Sequence, residues 1–194
     1  MLSSTRHLGT FVSTPRLSRS LCTTDNSLFK YAFDAETEVI KKSDDLVVGH
    51  VSNRWSVGDA PNGGWLMAMA IKAAAQYSTH PDPLTVSAYF LNKSIENEAA
   101  EMKVRIMGKS RTTTSFHVQL LQLGQVRCEF MGTFGDLKSM KGLTLVNKTA
   151  PNLPAVEDCV NSSKILRKVF GEKLRIANEI ETRVPRDDPH ATSA

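Results

Sequence analysis

Pro61-Asn62-Gly63-Gly64-Trp65-Leu66-Met67-Ala68-Met69-Ala70-Ile71-Lys72-Ala73-Ala74-Ala75-Gln76-Tyr77-Ser78 is the stretch that organises this chain of 194 residues. From residue 63 to 78 only Lys72, Gln76, Tyr77 and Ser78 carry polar side-chain groups. Lys72 and Gln76 stand four apart, so on a helix they share one face and the remainder is apolar. A helix apolar over most of its circumference has to be wrapped by other structure. Its first turn carries two glycines behind an asparagine, a good N-cap residue. The backbone N–H groups there have no intrahelical partner, and no Cβ keeps an incoming group away. Such a tip can receive an anion or a polarised carbonyl oxygen, and a buried helix ending in one suggests an acyl-binding site.

The flanking sequence supplies the wrapping. Two strands are expected before the helix, 31–40 and 46–55, with Ser43-Asp44-Asp45 as the turn between them. The helix is expected to end near Tyr77, because Thr79-His80-Pro81-Asp82-Pro83 forbids its continuation. Four further strand segments follow, at 84–91, 102–107, 112–123 and 125–134. In the last two, Phe116, Val118 and Leu120, then Val126, Cys128 and Phe130, recur at every second position. That period argues for an antiparallel sheet with one buried face, and Leu123-Gly124-Gln125 reads as a tight hairpin. The fold class expected is α+β: a curved antiparallel sheet of about five or six strands around one long apolar helix. After Lys138 the texture turns loop-like, with Pro151 and Pro154, one short helix expected near 162–170, and a polar tail from Arg183.

Composition narrows the function classes. Hydrophobic residues make up 41% and charged residues 23%, an ordinary globular balance. No apolar run approaches the roughly 18 residues that cross a bilayer. The net charge of +4 is mild, and there is no basic tract or nucleic-acid motif, so no nucleic-acid partner is expected. Cys22, Cys128 and Cys159 are scattered and form no CxxC, which suggests neither zinc nor a disulfide framework. Residues 1–24 contain Arg6, Arg16 and Arg19, many Ser and Thr, and no acid before Asp25. Arg-rich, Ser-rich and acid-free is the composition of an organelle transit peptide, so a mitochondrial matrix address is expected, with cytoplasm or peroxisome as alternatives.

The order and spacing of several motifs carry a resemblance. Trp55-Ser-Val-Gly-Asp-Ala-Pro-Asn-Gly-Gly64, Pro83-Leu-Thr-Val-Ser-Ala-Tyr-Phe-Leu91, Gly108-Lys-Ser-Arg-Thr-Thr-Thr-Ser115 and Val118-Gln-Leu-Leu-Gln-Leu-Gly124 together resemble the acyl-CoA thioesterase-like family of hot-dog proteins. The likeness is to the N-terminal half of the double hot-dog, type II thioesterases, over about residues 28–136. With the transit peptide read from composition at 1–25, it implies a hot-dog domain at 26–137, and at 138–194 a linker and the start of a second hot-dog. It implies hydrolysis of acyl-CoA thioesters to a free acid and coenzyme A, with no cofactor beyond the coenzyme A of the substrate and no metal. A non-catalytic acyl-CoA-binding or structural half is the alternative. A hydratase would need an Asp and a His close together at the helix entry, and after Asp59 no His follows until His80.

Thioester hydrolysis needs a positioned water and preorganised donors for the oxyanion. By the resemblance, the N–H of Gly64, with that of Gly63 or Trp65, would hold the oxyanion. Gln122 would orient water, Asp59 is the candidate carboxylate, and Thr113 or Thr114 would complete a polar triad. Lys109 and Arg111 would meet the coenzyme A phosphates. The acyl chain would run past Trp65, Met67 and Met69. Each has a plainer explanation: close helix–sheet packing for Gly63 and Gly64, a strand-surface amide for Gln122, a loop acid for Asp59, and a solvated turn for Lys109 and Arg111. His80 reads as a loop residue, and His117 faces away from Phe116 and Val118. In the relatives the Asp, Thr and Gln assigned to catalysis lie in the second hot-dog. A single hot-dog leaves a sheet edge exposed, so a homodimer is expected.

Overall fold

The computed structural model describes residues 31–143, 145 and 147–186; the transit peptide expected at 1–25 lies outside them. The first described element is helix α1 (Ala32–Glu36), followed by β1 (Ile40–Lys41) and β2 (Leu46–Val51). A 3-10 turn (Asn53–Trp55) leads into the two-residue strands β3 (Ser56–Val57) and β4 (Ala60–Pro61). Helix α2 (Gly63–Ala75) follows, and then the four long strands β5 (Asp82–Phe90), β6 (Glu98–Lys109), β7 (Thr114–Gln122) and β8 (Gln125–Gly135).

The main sheet has six antiparallel strands in the order β1-β2-β6-β7-β8-β5. One row across it, Phe90, Cys128, Leu120, Met102 and Val47, shows how the period-two pattern sums: all but Phe90 are buried, and the row faces α2. Trp65, Leu66, Met69, Ala70, Ala73 and Ala74 of α2 press into that face. Met69 fills a hollow left by Gly49, where a Cβ would come within 2.5 Å of the Met69 methyl.

Two expected strands are corrected. Residues 31–40 hold α1 rather than a strand: Tyr31 and Phe33 alternate, but the Ala-Phe-Asp-Ala-Glu core favours helix. The Thr37 hydroxyl donates to the Phe33 carbonyl at 2.7 Å, and the Phe33 ring stands edge-on to Trp55 at 5.2 Å. The strand expected at 46–55 stops at Val51, because the Ser52 hydroxyl accepts from the Arg54 N–H at 3.2 Å and caps the 3-10 turn.

Beyond the sheet, β9 (Val160–Asn161) pairs with β10 (Arg183–Val184) around α3 (Ser162–Phe170) and a 3-10 segment (Gly171–Asn178). The Asn161 side chain caps α3 by accepting from Lys164 N–H at 3.3 Å. Where a linker was expected, residues 171–179 fold back onto the 53–58 loop: Gly58 N–H donates to the Lys173 carbonyl at 2.6 Å, and Ile176 packs against the core.

Candidate functional site

The α2 tip is assembled by its approach. Ser56 pairs with Pro61, and the Asn62 N–H bonds the Trp55 carbonyl at 2.9 Å, so the chain is folded tightly before the helix begins. The Asn62 side chain accepts from Trp65 N–H at 3.2 Å and its carbonyl from Leu66 N–H at 3.1 Å. Among the described residues, the N–H groups of Gly63 and Gly64 have no acceptor. With no acidic residue in the first turn, the positive end of the helix is uncompensated. Trp65 N–H is taken by the cap, so the donor pair is Gly63 and Gly64 and not Trp65.

The two glycines sit differently. A Cβ on Gly63 would come within 2.7 Å of the Phe90 ring, so this glycine also answers a packing need. Phe90 is more than half exposed and stands edge-on to Phe130 at 6.2 Å. Gly64 is exposed, and a Cβ there would meet only its own cap, Asn62 Oδ1, at 3.1 Å.

Gln122 reaches the same end of the sheet, since β7 runs from Thr114 to Gln122 beside the β8 residues that pair with Phe90. Its side chain is buried at 2% exposure. Its Oε1 accepts from Ile95 N–H at 2.7 Å and its Nε2 donates to the Ile95 carbonyl at 2.9 Å. The amide therefore clamps the 91–97 loop, and is not the surface group that strand alternation alone would suggest. Asp59 is almost fully exposed and ion-paired with Lys93; its carboxyl is held below the usual range, first by the Lys93 hydrogen bond and then by that charge.

Thr113, Lys109 and Arg111 lie at the opposite end. The β6–β7 turn that carries them is tied to the helix exit: His80 Nδ1 and the Thr114 hydroxyl are 2.8 Å apart, and His80 Nε2 is 3.2 Å from the Arg111 carbonyl. Thr114 is eight residues from Gln122 along one strand, roughly 26 Å at 3.3 Å per residue. Thr113 therefore does not complete a triad with Gln122 within this chain. It is bonded instead to Ser110, hydroxyl to hydroxyl at 2.9 Å. Trp65 and Met69 are sealed in the core, at 1% and 0% exposure, whereas Met67 and Ile71 are half-buried on the helix's other side. Of the three expected chain contacts only Met67 lies where an acyl chain could pass without core rearrangement. The clamp role of Gln122 and the His80–Thr114 staple escaped sequence reading, because both are contacts between residues 27 and 34 positions apart.

Among the described residues, no group of three or more His, Cys, Asp or Glu side chains could hold a metal ion. No described helix is long and apolar enough to cross a membrane.

No curated protein sequence matches the chain. Among solved structures, a candidate thioesterase II from Thermobifida fusca is similar at 22% identity and TM-score 0.60, over 68% of this chain and 48% of its own. A conserved protein with a hot-dog fold from Alicyclobacillus acidocaldarius is similar at 21% identity and TM-score 0.59, over 69% and 49%. A candidate thioesterase from Novosphingobium aromaticivorans reaches TM-score 0.65 at 19% identity, over 80% and 60%. The chain thus spans about half the length of the first two and three-fifths of the third. The acyl-CoA thioesterase N-terminal domain family matches residues 51–135, which hold the 3-10 turn, α2 and strands β5 to β8. Over these residues the chain resembles the acyl-CoA thioesterase N-terminal domain family, and its fold is the hot-dog fold.

Proposed function

We propose that this chain binds acyl-CoA with the thioester carbonyl at the α2 tip and takes part in its hydrolysis to a free acid and coenzyme A. The observation that carries the reading is the pair of unpartnered N–H groups on Gly63 and Gly64, open to solvent at Gly64. In the reaction, water oxygen bonds to the carbonyl carbon and the carbonyl electron pair moves onto oxygen. The oxyanion is held by the two N–H groups and the helix dipole. Its collapse breaks the C–S bond, and the proton lost by water passes to the departing thiolate. No cofactor or metal is part of this scheme.

The second hot-dog enters through the sheet edge. Strand β5 pairs only with β8 among the described residues, so its other side offers unpaired backbone groups. A two-fold pairing through two β5 edges is antiparallel. It lays the partner's Phe90 and α2 tip beside this chain's Asp82 end, the end that also carries the β6–β7 turn. Lys109, Arg111 and Thr113 are then placed to serve the partner's tip, as cations for coenzyme A phosphates and as a polar group near the thioester. A homodimer, or a further hot-dog in a longer chain, fits this geometry equally.

The competing reading is a half that binds acyl-CoA without turning it over. It is favoured by Gln122 and Asp59 both being engaged elsewhere, with Ile95 and Lys93. Thiol release from a panel of acyl-CoAs separates the two. Turnover by the folded wild type, lost on Gly64→Pro with the melting temperature kept, supports hydrolysis at the tip. Binding without turnover favours the second reading, and neither binding nor turnover sinks both. A mitochondrial matrix address completes the proposal; a diffuse cytosolic signal from residues 1–30 fused to a fluorescent reporter removes it.

A further inference from the structure

Residues 173–179 grip the approach to the α2 tip at four successive points. Lys173 accepts the Gly58 N–H at 2.6 Å. Arg175 donates through Nε to the Asn53 carbonyl at 2.9 Å, and through Nη2 to the Gly58 carbonyl at 3.0 Å and to Glu96 Oε1 at 2.5 Å. Ile176 rests on the core. Glu179 takes a two-pronged contact from Arg54, at 2.9 Å from Nε and 2.6 Å from Nη2, while Nη1 of Arg54 reaches Glu36 at 2.5 Å. The guanidinium of Arg54 is held above its usual pKa, first by the Glu179 hydrogen bond.

The loops so gripped are the two that flank the tip. The first, 53–61, delivers Asn62 and the two glycines, and both backbone groups of Gly58 are bonded to this segment. Gly58 has φ +65°, a left-handed conformation that favours glycine. The second, 91–97, is clamped by Gln122 from inside and by Arg175 through Glu96 from outside. A planar fork spanning three acceptors on two loops is a task a lysine ammonium cannot reproduce.

We propose that residues 171–179 are a strap that sets the geometry of the acyl-CoA site at the α2 tip, with Arg175 as the positioning residue that joins both loops. This rests on the functional reading above. Arg175 touches no substrate; it acts through Gly58 and Glu96.

The test uses the full chain as wild type, Arg175→Lys and Arg175→Met. Three quantities are measured: amide hydrogen exchange in 53–62 and 91–97, affinity for a non-hydrolysable acyl-CoA thioether, and melting temperature. The strap predicts faster exchange in both loops, and thioether binding weakened on the order of tenfold in Arg175→Met, with Arg175→Lys between it and wild type. Exchange in β6 and β7 stays at wild-type protection. If Arg175→Met fails to fold, Glu96→Gln, which keeps a hydrogen-bonding side chain, takes its place and is expected to weaken binding in the same direction. Faster loop exchange with unchanged thioether affinity overturns the positioning role, and unchanged loop exchange overturns the strap. Absence of thioether binding by wild type instead defeats the acyl-CoA reading and the positioning role with it, while the exchange data still decide whether the strap exists.

Discussion

Gln122, itself buried, and half-buried Ile95 share two hydrogen bonds at the sheet's tip end, and truncating the amide leaves a cavity and takes those partners from Ile95's backbone groups. Gln122→Ala is therefore expected to cost about 2–4 kcal/mol in urea unfolding, and to raise hydrogen exchange across 91–97. Stability equal to wild type would mean water replaces the amide. The residue's polarity was legible in the sequence, but its partner was not, since only the chain's return over the sheet end brings Ile95 within reach. Cys128 gives a second outcome. Burial pushes its thiol above the 9.0 of an unperturbed group, against weaker lowering by Ser94. The folded state thus retains the proton where the unfolded chain loses it. The contribution is full below about 9 and declines as pH rises through the folded value. Stability curves at pH 8 and pH 10 should show the loss, and Cys128→Ser should shrink it. A pH-independent difference between the two proteins contradicts the assignment. On the proposed reading, Gly64→Pro removes one of the two oxyanion donors where no hydrogen bond is lost to the helix, and a fall in turnover of about 10²–10³ is the expected size.

Helix α2 and the four long strands are where local pattern and final structure agree most closely. The apolar run predicted a helix from 63 to about 77, and the helix spans Gly63–Ala75. The period-two runs appear as β7 and β8, joined by a two-residue turn. In that turn Leu123 has φ +51° and Gly124 φ +74°, and Leu123 is largely exposed. A leucine at positive φ is strained where asparagine is at ease. Leu123→Asn should raise the unfolding free energy by about 0.5–1 kcal/mol, read from thermal or urea unfolding. No gain would mean that the turn relaxes in solution. Local pattern failed at 31–37, where the alternation of Tyr31 and Phe33 suits a strand. Packing of Phe33 on Trp55 and of Ala35 into the interior made it a helix. It also left 171–179 unassigned, because a strap of irregular turns has no period to read.

At the scale of the whole molecule the β5 edge, unpaired among the described residues, is the feature with most consequence for assembly. Tyr89 and Leu91 are exposed beside it, and Phe90 links it to the α2 tip. Tyr89→Lys puts a charge on that edge and is expected to shift a wild-type dimer toward monomer in sedimentation, with the melting temperature of the monomer unit kept. A monomeric wild type would point to a further hot-dog in a longer chain as the edge's partner. The same arrangement explains why the sequence placed Thr113, Lys109 and Arg111 with Gly64 while the tertiary structure put them at opposite ends. Motif order along a chain carries no direction across a sheet, and β7 separates its two ends by its full length.

By itself the sequence determined what depends on neighbours a few residues apart. That covers the capped helix with its bare first turn, the two-residue period of the sheet, the tight hairpin and, through the order of its motifs, the family resemblance. Tertiary structure alone decided which donors remain free at the tip, what Gln122 holds, which face of α2 stays open at Met67, and that the post-sheet segment returns to grip Gly58 and Glu96. The Gln122 clamp and the returning segment depend on contacts between residues 27 to 122 positions apart, and no local pattern of polar and apolar residues encodes which distant segment closes over which.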